Sequence, residues 1–143
     1  MSGIDSIPVR VEGGAAEAFR TENLRPLLLQ VEQALRDLVE NGTDTVIDLS
    51  AMPFSAQDEA DLRRELAVGE VSARVDAFGP SLIQETGVAG VWLIEHQDAD
   101  GKRLMLHLEI TRIPSLLVTP PEDIGDALAA LVSRRSGGVG GNS

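Results

Sequence analysis

The residues able to do chemistry are few, and their spacing is uninformative. His96 and His107 are the two histidines of the 143-residue chain, and imidazole is a natural ligand for zinc or another transition metal. If Asp98-Ala99-Asp100-Gly101 forms a hairpin turn, His96 lies near the turn and His107 well down the partner strand. The two are then not directly opposite, no third ligand stands at a known spacing, and they read as solvated strand-face histidines. Asp98, Asp100 and Gly101 match the opening of a calcium loop, but Glu109, at the position of the bidentate glutamate, falls in a strand where such a site needs a helix. A plain hairpin turn demands the same residues. Glu70, Glu85, Glu95 and Glu109 sit on or beside predicted strands. Paired carboxylates can act as general acid and base when buried within a few ångströms of each other; otherwise they decorate a wet face. Ser50, Ser55, Ser72 and Ser81 offer hydroxyls, but none lies in a Gly-x-Ser-x-Gly elbow, and no glycine-rich phosphate loop is present.

The elements that must position these groups follow from periodicity. Leu24, Leu27, Leu28, Val31, Ala34, Leu35, Leu38 and Val39 keep the spacing of one apolar helix face over about 24–40. Asn23 is placed as N-cap, Pro26 is tolerated in the first turn, and Asn41-Gly42 is a stop. Thr45 to Leu49 reads as a short buried strand. Ser55 to Ala67 reads as a second helix with Ser55 and Asp58 in capping-box spacing and Gly69 past its end. Strands are expected over about 70–78, 82–86, 88–97 and 102–113, with Val71, Ala73, Val75 and Ala77 alternating with Ser72, Arg74 and Asp76 as in a half-buried strand. Pro120-Pro121 opens a third helix to about Ser133, with Thr119 as a possible cap and Ile124, Leu128, Leu131 and Val132 as its apolar set.

This order argues for an α+β fold: a mainly antiparallel sheet, a meander over about 70–113, with helices packed on one face. Residues 1–22 are expected to be loosely ordered, 23–135 to form a single domain, and the Gly-rich 136–143 to be a disordered tail.

Composition narrows the function classes. Twelve Lys+Arg against 23 Asp+Glu give a formal charge of −11, a field that repels phosphate backbones and anionic lipid heads. Nucleic acid and membrane surfaces are therefore not expected partners; a basic protein segment is. The chain has no cysteine, so it forms no disulfide and ligates no iron–sulfur cluster by thiolate. Neither a signal peptide nor an apolar stretch of spanning length is evident, which makes the cytoplasm the expected compartment. The one tryptophan, Trp92, is either a core plug or an interface anchor.

Several short pieces stand in one order: Ile47-Asp48-Leu49 before Pro53; Gly69-Glu70-Val71-Ser72-Ala73; Glu85-Thr86 before Gly90-Val91-Trp92; and Leu108-Glu109-Ile110-Thr111 with Pro114. Together they resemble the conserved core of the HupH/HyaF-type hydrogenase expression/formation proteins, over roughly residues 24–118. The resemblance implies an accessory protein of nickel–iron hydrogenase maturation, without a chemical active site or cofactor. It would chaperone or scaffold the iron–sulfur small-subunit precursor in company with other maturation proteins. It further implies that Glu70, Ser72, Glu85, Thr86, Trp92 and Glu109 form the partner-binding surface. Acidic charge would steer a basic client segment such as a twin-arginine signal region. Family members are often about twice this length with two related regions, so a homodimer through sheet edges would restore that arrangement. Two other readings stay open. One is a small enzyme using Glu70, Glu85 or Glu109 as acid or base; the other is a purely structural dimerisation domain anchored by Trp92.

Overall fold

The computed structural model describes residues 19–139; the expectations for 1–18 and 140–143 lie outside them. The chain divides between Arg112 and Ile113 into two compact units.

The first unit opens with α1 (Leu24–Asn41). Leu27, Val31 and Ala34 are buried along one face, with Leu24, Leu28, Leu35 and Leu38 packed at its margins. Gly42 ends the helix at φ 68°, where its N–H bonds to the Leu38 carbonyl and that of Thr43 to Asp37, the left-handed stop that glycine takes without steric cost. Asn23 holds the cap position but does not cap: its Nδ2 donates instead to the Pro53 carbonyl at 2.6 Å. β1 (Thr45–Asp48) runs into a 3-10 turn, Leu49–Ala51, closed by the Asp48 carboxylate on Ser50 N.

α2 (Ala56–Leu66) starts with the expected capping box, Ser55 and Asp58 each accepting from the other's backbone N–H. The box does more than begin a helix. Asp58 is 1% exposed, and its oxygens also accept from Thr21 N at 3.0 Å and Thr21 Oγ1 at 2.6 Å. Ser55 Oγ donates to Phe19 O, and Arg20 Nε to Asp61 Oδ2. Phe19–Glu22, the described end of the segment expected to be loose, is thus strapped to α2, because a buried carboxylate needs donors and finds them there.

Four more strands complete the sheet: β2 (Ser72–Asp76), β3 (Pro80–Glu85), β4 (Val91–Gln97) and β5 (Arg103–Ile110). Their spatial order is β1-β5-β4-β3-β2, every pair antiparallel. The β4–β5 turn consumes the acidic residues that looked like a calcium loop. Asp98 accepts from Asp100 N and Lys102 N, both at 2.9 Å, and Gly101 sits at φ 85°.

Register divides the side chains between two faces. Val91 and Leu93 of β4, Leu106, Leu108 and Ile110 of β5, and Ile47 of β1 join the core cluster with α1 and α2. Ile83, Trp92 and Ile94 are buried on the opposite face. Leu108 and Ile110 are fully enclosed at 0% exposure, the condition under which truncation costs most.

The second unit carries a 3-10 turn (Ser115–Leu117) and α3 (Pro121–Ser133), which continues as π-helical turns over Arg134–Val139. Part of the stretch expected to be a disordered tail is therefore helical, propagated from α3 at one hydrogen bond per added residue. Pro120 occupies the cap position with no side-chain hydrogen bond, so Thr119 is not the cap. Ile124, Leu128, Leu131 and Val132 remain 57%, 62%, 53% and 42% exposed. The described part of this unit contains one short turn besides the helix, too little apolar surface to bury the stripe.

Candidate functional site

Of the six residues singled out from the sequence, three share one row across the sheet. Glu85 pairs with Trp92, and Trp92 with Glu109, on the face opposite α1 and α2. Trp92 is 7% exposed and its Nε1 donates to Thr111 O at 3.2 Å. It separates the two carboxylates by about two strand spacings, roughly 9–10 Å. Glu85 and Glu109 therefore do not converge on one proton, and Glu70 lies ahead of β2.

Glu85 and Thr86 are built into the backbone. Glu85 Oε1 accepts from Glu70 N and Val71 N, both at 3.2 Å. Thr86, 4% exposed, donates through Oγ1 to Val91 O at 2.8 Å and accepts from Val88 N. Gly69 makes this approach possible: a Cβ there would stand 2.4 Å from Thr86 O and 2.9 Å from Glu85 Oε1. Gly69→Ala should cost about 1–3 kcal/mol through forced displacement of β3's end, read as a lowered denaturation midpoint with unchanged m-value.

The two histidines meet more closely than the hairpin estimate allowed. His96 pairs with Met105 and His107 with Ile94, so the imidazoles are diagonal neighbours on one face with ring centroids 5.2 Å apart. They are indeed not directly opposite; a diagonal still lies within reach of large side chains. Ser81 Oγ lies 2.7 Å from His96 Nδ1, while the buried His107 Nδ1 has no hydrogen-bond partner among the described residues. Burial, reinforced by His96 and opposed by Asp48, holds the His107 pKa below its usual 6.5. With the folded-state pKa depressed, the unfolded chain binds the proton first. Stability at this site therefore falls as pH drops below about 6.5 toward the folded value. No group of three or more His, Cys, Asp or Glu able to hold a metal occurs among the described residues.

Ser72 lies on the other face, paired with Gln84, and opens onto a groove. This concavity of about 560 Å³ runs between α2 and the margin of the sheet, lined by Arg63, Val68, Ser72, Leu82, Gln84 and Leu93 among others. Val68 is 71% and Leu82 36% exposed. An apolar recess of about 60 Å³ opens beneath Val68, walled by Leu62, Leu66 and Leu93. Sequence reasoning singled out Ser72 but not the groove, because the lining comes from α2, the loop after it, β2, β3 and β4, which only the fold brings together; Val68, just past a helix end, was an available signal.

One end of the groove is fixed by an ion-pair network. Arg103 binds Glu59 through both guanidinium nitrogens at 2.7 and 2.9 Å and reaches Glu95 at 3.0 Å, while Arg63 binds Glu59 at 2.9 Å. The fork geometry is the strong form of such a bond. The Arg103 guanidinium, joined by that of Arg63, holds the Glu59 carboxyl below its usual value against the opposing effect of burial. Burial pushes Glu95 up, but hydrogen bonds from Gln97 and Arg103 outweigh it and leave its pKa lowered. Glu95, a candidate acid–base carboxylate from the sequence, is thus an ionised strut beside the groove.

An antiparallel sheet backed by two helices makes the first unit an α+β domain, with a groove at its margin that is apolar within and polar at its rim. Residues 21–136 match the family model described as the HupH hydrogenase expression protein, C-terminal conserved region. The chain belongs to that family. It is 31% identical over 111 residues to the hydrogenase expression/formation protein HupQ of Azotobacter chroococcum mcd 1, covering 76% of this chain and 39% of that protein. It is 32% identical over 85 residues to the hydrogenase-1 operon protein HyaF of Escherichia coli K12, covering 59% and 30%. The chain therefore spans well under half the length of these curated relatives. The structure of the hydrogenase expression protein HupH from Thiobacillus denitrificans ATCC 25259 superposes with a TM-score of 0.79 at 40% identity, covering 81% of this chain and 97% of that one.

Proposed function

We propose that this protein is a non-enzymatic accessory factor of nickel–iron hydrogenase maturation, working in the cytoplasm. It binds a hydrogenase subunit precursor, the iron–sulfur small subunit in preference to the large. The observation that carries the reading is the open groove beside β2 in a chain of the HupH family. Its recess suits the tip of one aliphatic side chain, and its exposed Val68 and Leu82 give a client's apolar segment a surface to leave water for. Among the six residues first singled out, Ser72 lines the groove, Glu85 holds the approach to its strand through Glu70 N and Val71 N, and Thr86 braces the start of β4 through Val91 O. No described helix is long and apolar enough to cross a membrane, which accords with action on a precursor in water.

Co-purification tests this. Tagged wild type, expressed with both hydrogenase subunit precursors, should retain the small subunit, and Val68→Glu should lose it while keeping the wild-type circular dichroism spectrum. Retention of neither precursor by wild type would refute the reading. The acidic charge predicts slower association as ionic strength rises.

A further inference from the structure

β2 is a margin of the sheet, and among the described residues its outer edge carries unmet backbone groups. Glu85 N donates to Val71 O, and Asp76 is registered with Pro80, which has no N–H to give. Alternate residues of an antiparallel strand bond to the same neighbour. Val71, Ala73 and Val75 therefore turn their backbone toward β3, and the N–H and C=O groups of Ser72, Arg74 and Asp76 point away from the sheet. All three residues are exposed, and no other strand pairs with this edge among the described residues. Their side chains alternate in charge: Arg74 and Asp76, 61% and 65% exposed, pair with each other at 3.0 Å.

We propose that two copies of this chain join through β2, antiparallel, about a two-fold axis at Val75, to form one continuous sheet. In that register Arg74 of each copy stands opposite Asp76 of the other. The in-strand ion pair is exchanged for two pairs across the interface, and the outward backbone groups of both residues find partners. Neighbouring registers lack this match. A two-fold at Arg74 sets arginine against arginine, and one at Asp76 sets aspartate against aspartate, arrangements that oppose pairing. The other sheet margin, β1, has no reciprocal charge: its one ionisable residue, Asp48, already accepts from Ser50 N.

The pairing has a consequence for the groove. Ser72 and Arg74 line it from the helix side of the sheet, and a two-fold normal to the sheet keeps both helix sides facing the same way. Two grooves then meet as one trough between the two α2 helices. Phe78, wholly exposed at the β2–β3 turn with φ 60°, falls opposite Ser72 of the second copy and extends the apolar lining. A strained, solvated aromatic residue thereby gains a neighbour.

The test is a charge swap read by sedimentation equilibrium on the full chain. Wild type should reach twice the 15.2 kDa chain mass in the micromolar range. Arg74→Asp alone and Asp76→Arg alone should each stay monomeric, since each sets like charges opposite one another. Mixed in equal amounts the two variants should dimerise, and the double swap should dimerise by itself. Both residues are solvent-exposed, so all three variants should keep the wild-type melting temperature within a few degrees. Wild type that remains monomeric throughout would overturn the proposal, as would single variants that dimerise like wild type or a mixture that stays monomeric. A monomer that still captures a hydrogenase precursor would reject the pairing and leave the proposed client binding standing.

Discussion

Trp92→Ala should lower the melting temperature by roughly 10–20 °C, the expected result of losing about 3–5 kcal/mol in a domain of this size. The side chain is 7% exposed and its indole N–H is bound to Thr111 O. Removing it leaves a cavity on the face where Ile83 and Ile94 are also buried and breaks the hydrogen bond to Thr111 O. Trp92→Phe keeps most of the volume and loses the hydrogen bond, so it should recover more than half of the effect. A thermal melt followed by far-UV circular dichroism reads both. A shift of only one or two degrees for the alanine variant would place Trp92 outside the core and return it to candidacy as an interface anchor. The practical corollary is that lost partner binding in Trp92→Ala would report unfolding, not contact.

Asp58→Ala should cost about 3 kcal/mol in urea denaturation. A carboxylate lost from a helix's first turn is worth about 0.3–1 kcal/mol, and orphaning the half-buried donors of Thr21 and Ser55 adds about 1–3 more. Asp58 carries a pH signature as well. Burial pushes its pKa up, but hydrogen bonds from Thr21 and Ser55 outweigh that and hold it below the ordinary 3.8. With the folded value depressed, the contribution is complete well above 3.8 and drains away as pH falls through the folded pKa, where the unfolded chain takes up the proton first. Wild type should therefore lose stability between about pH 5 and 2, and Asp58→Asn should show a shallower loss over that window. Equal slopes would mean that Asp58 is not a source of the acid sensitivity.

Much of the first unit could be read before any coordinates, and the reasons are local. α1 declares itself because eight apolar residues repeat at helical spacing and Gly42 ends them. The start of α2 is legible in the three-residue separation of Ser55 and Asp58. The strand series follows from alternation and from turn residues such as Asp98 and Gly101. What stayed hidden depends on contacts distant in sequence. Nothing about Asp58 says that it also holds Thr21, nor about Asn23 that its amide serves Pro53 and not its own helix. The sequence separation of 44 between Glu59 and Arg103 conceals the ion pair that fixes the groove. Register, unreadable to within one residue, decides that Glu85, Trp92 and Glu109 share a row while Ser72 faces the other way. The amphipathic pattern of α3 was legible too, but a pattern states which face is apolar and not whether anything covers it.

The most direct measurement is a calorimetric titration of the small-subunit precursor into wild type, Leu82→Glu and Leu104→Glu. Leu82 lines the groove, whereas Leu104, 63% exposed, does not. Both substitutions place one added charge on an exposed apolar position of the sheet. The account predicts that Leu82→Glu weakens binding at least tenfold, a loss of about 1.4 kcal/mol or more, and that Leu104→Glu binds as wild type does. Equal affinity for all three proteins, or a loss confined to Leu104→Glu, would contradict it.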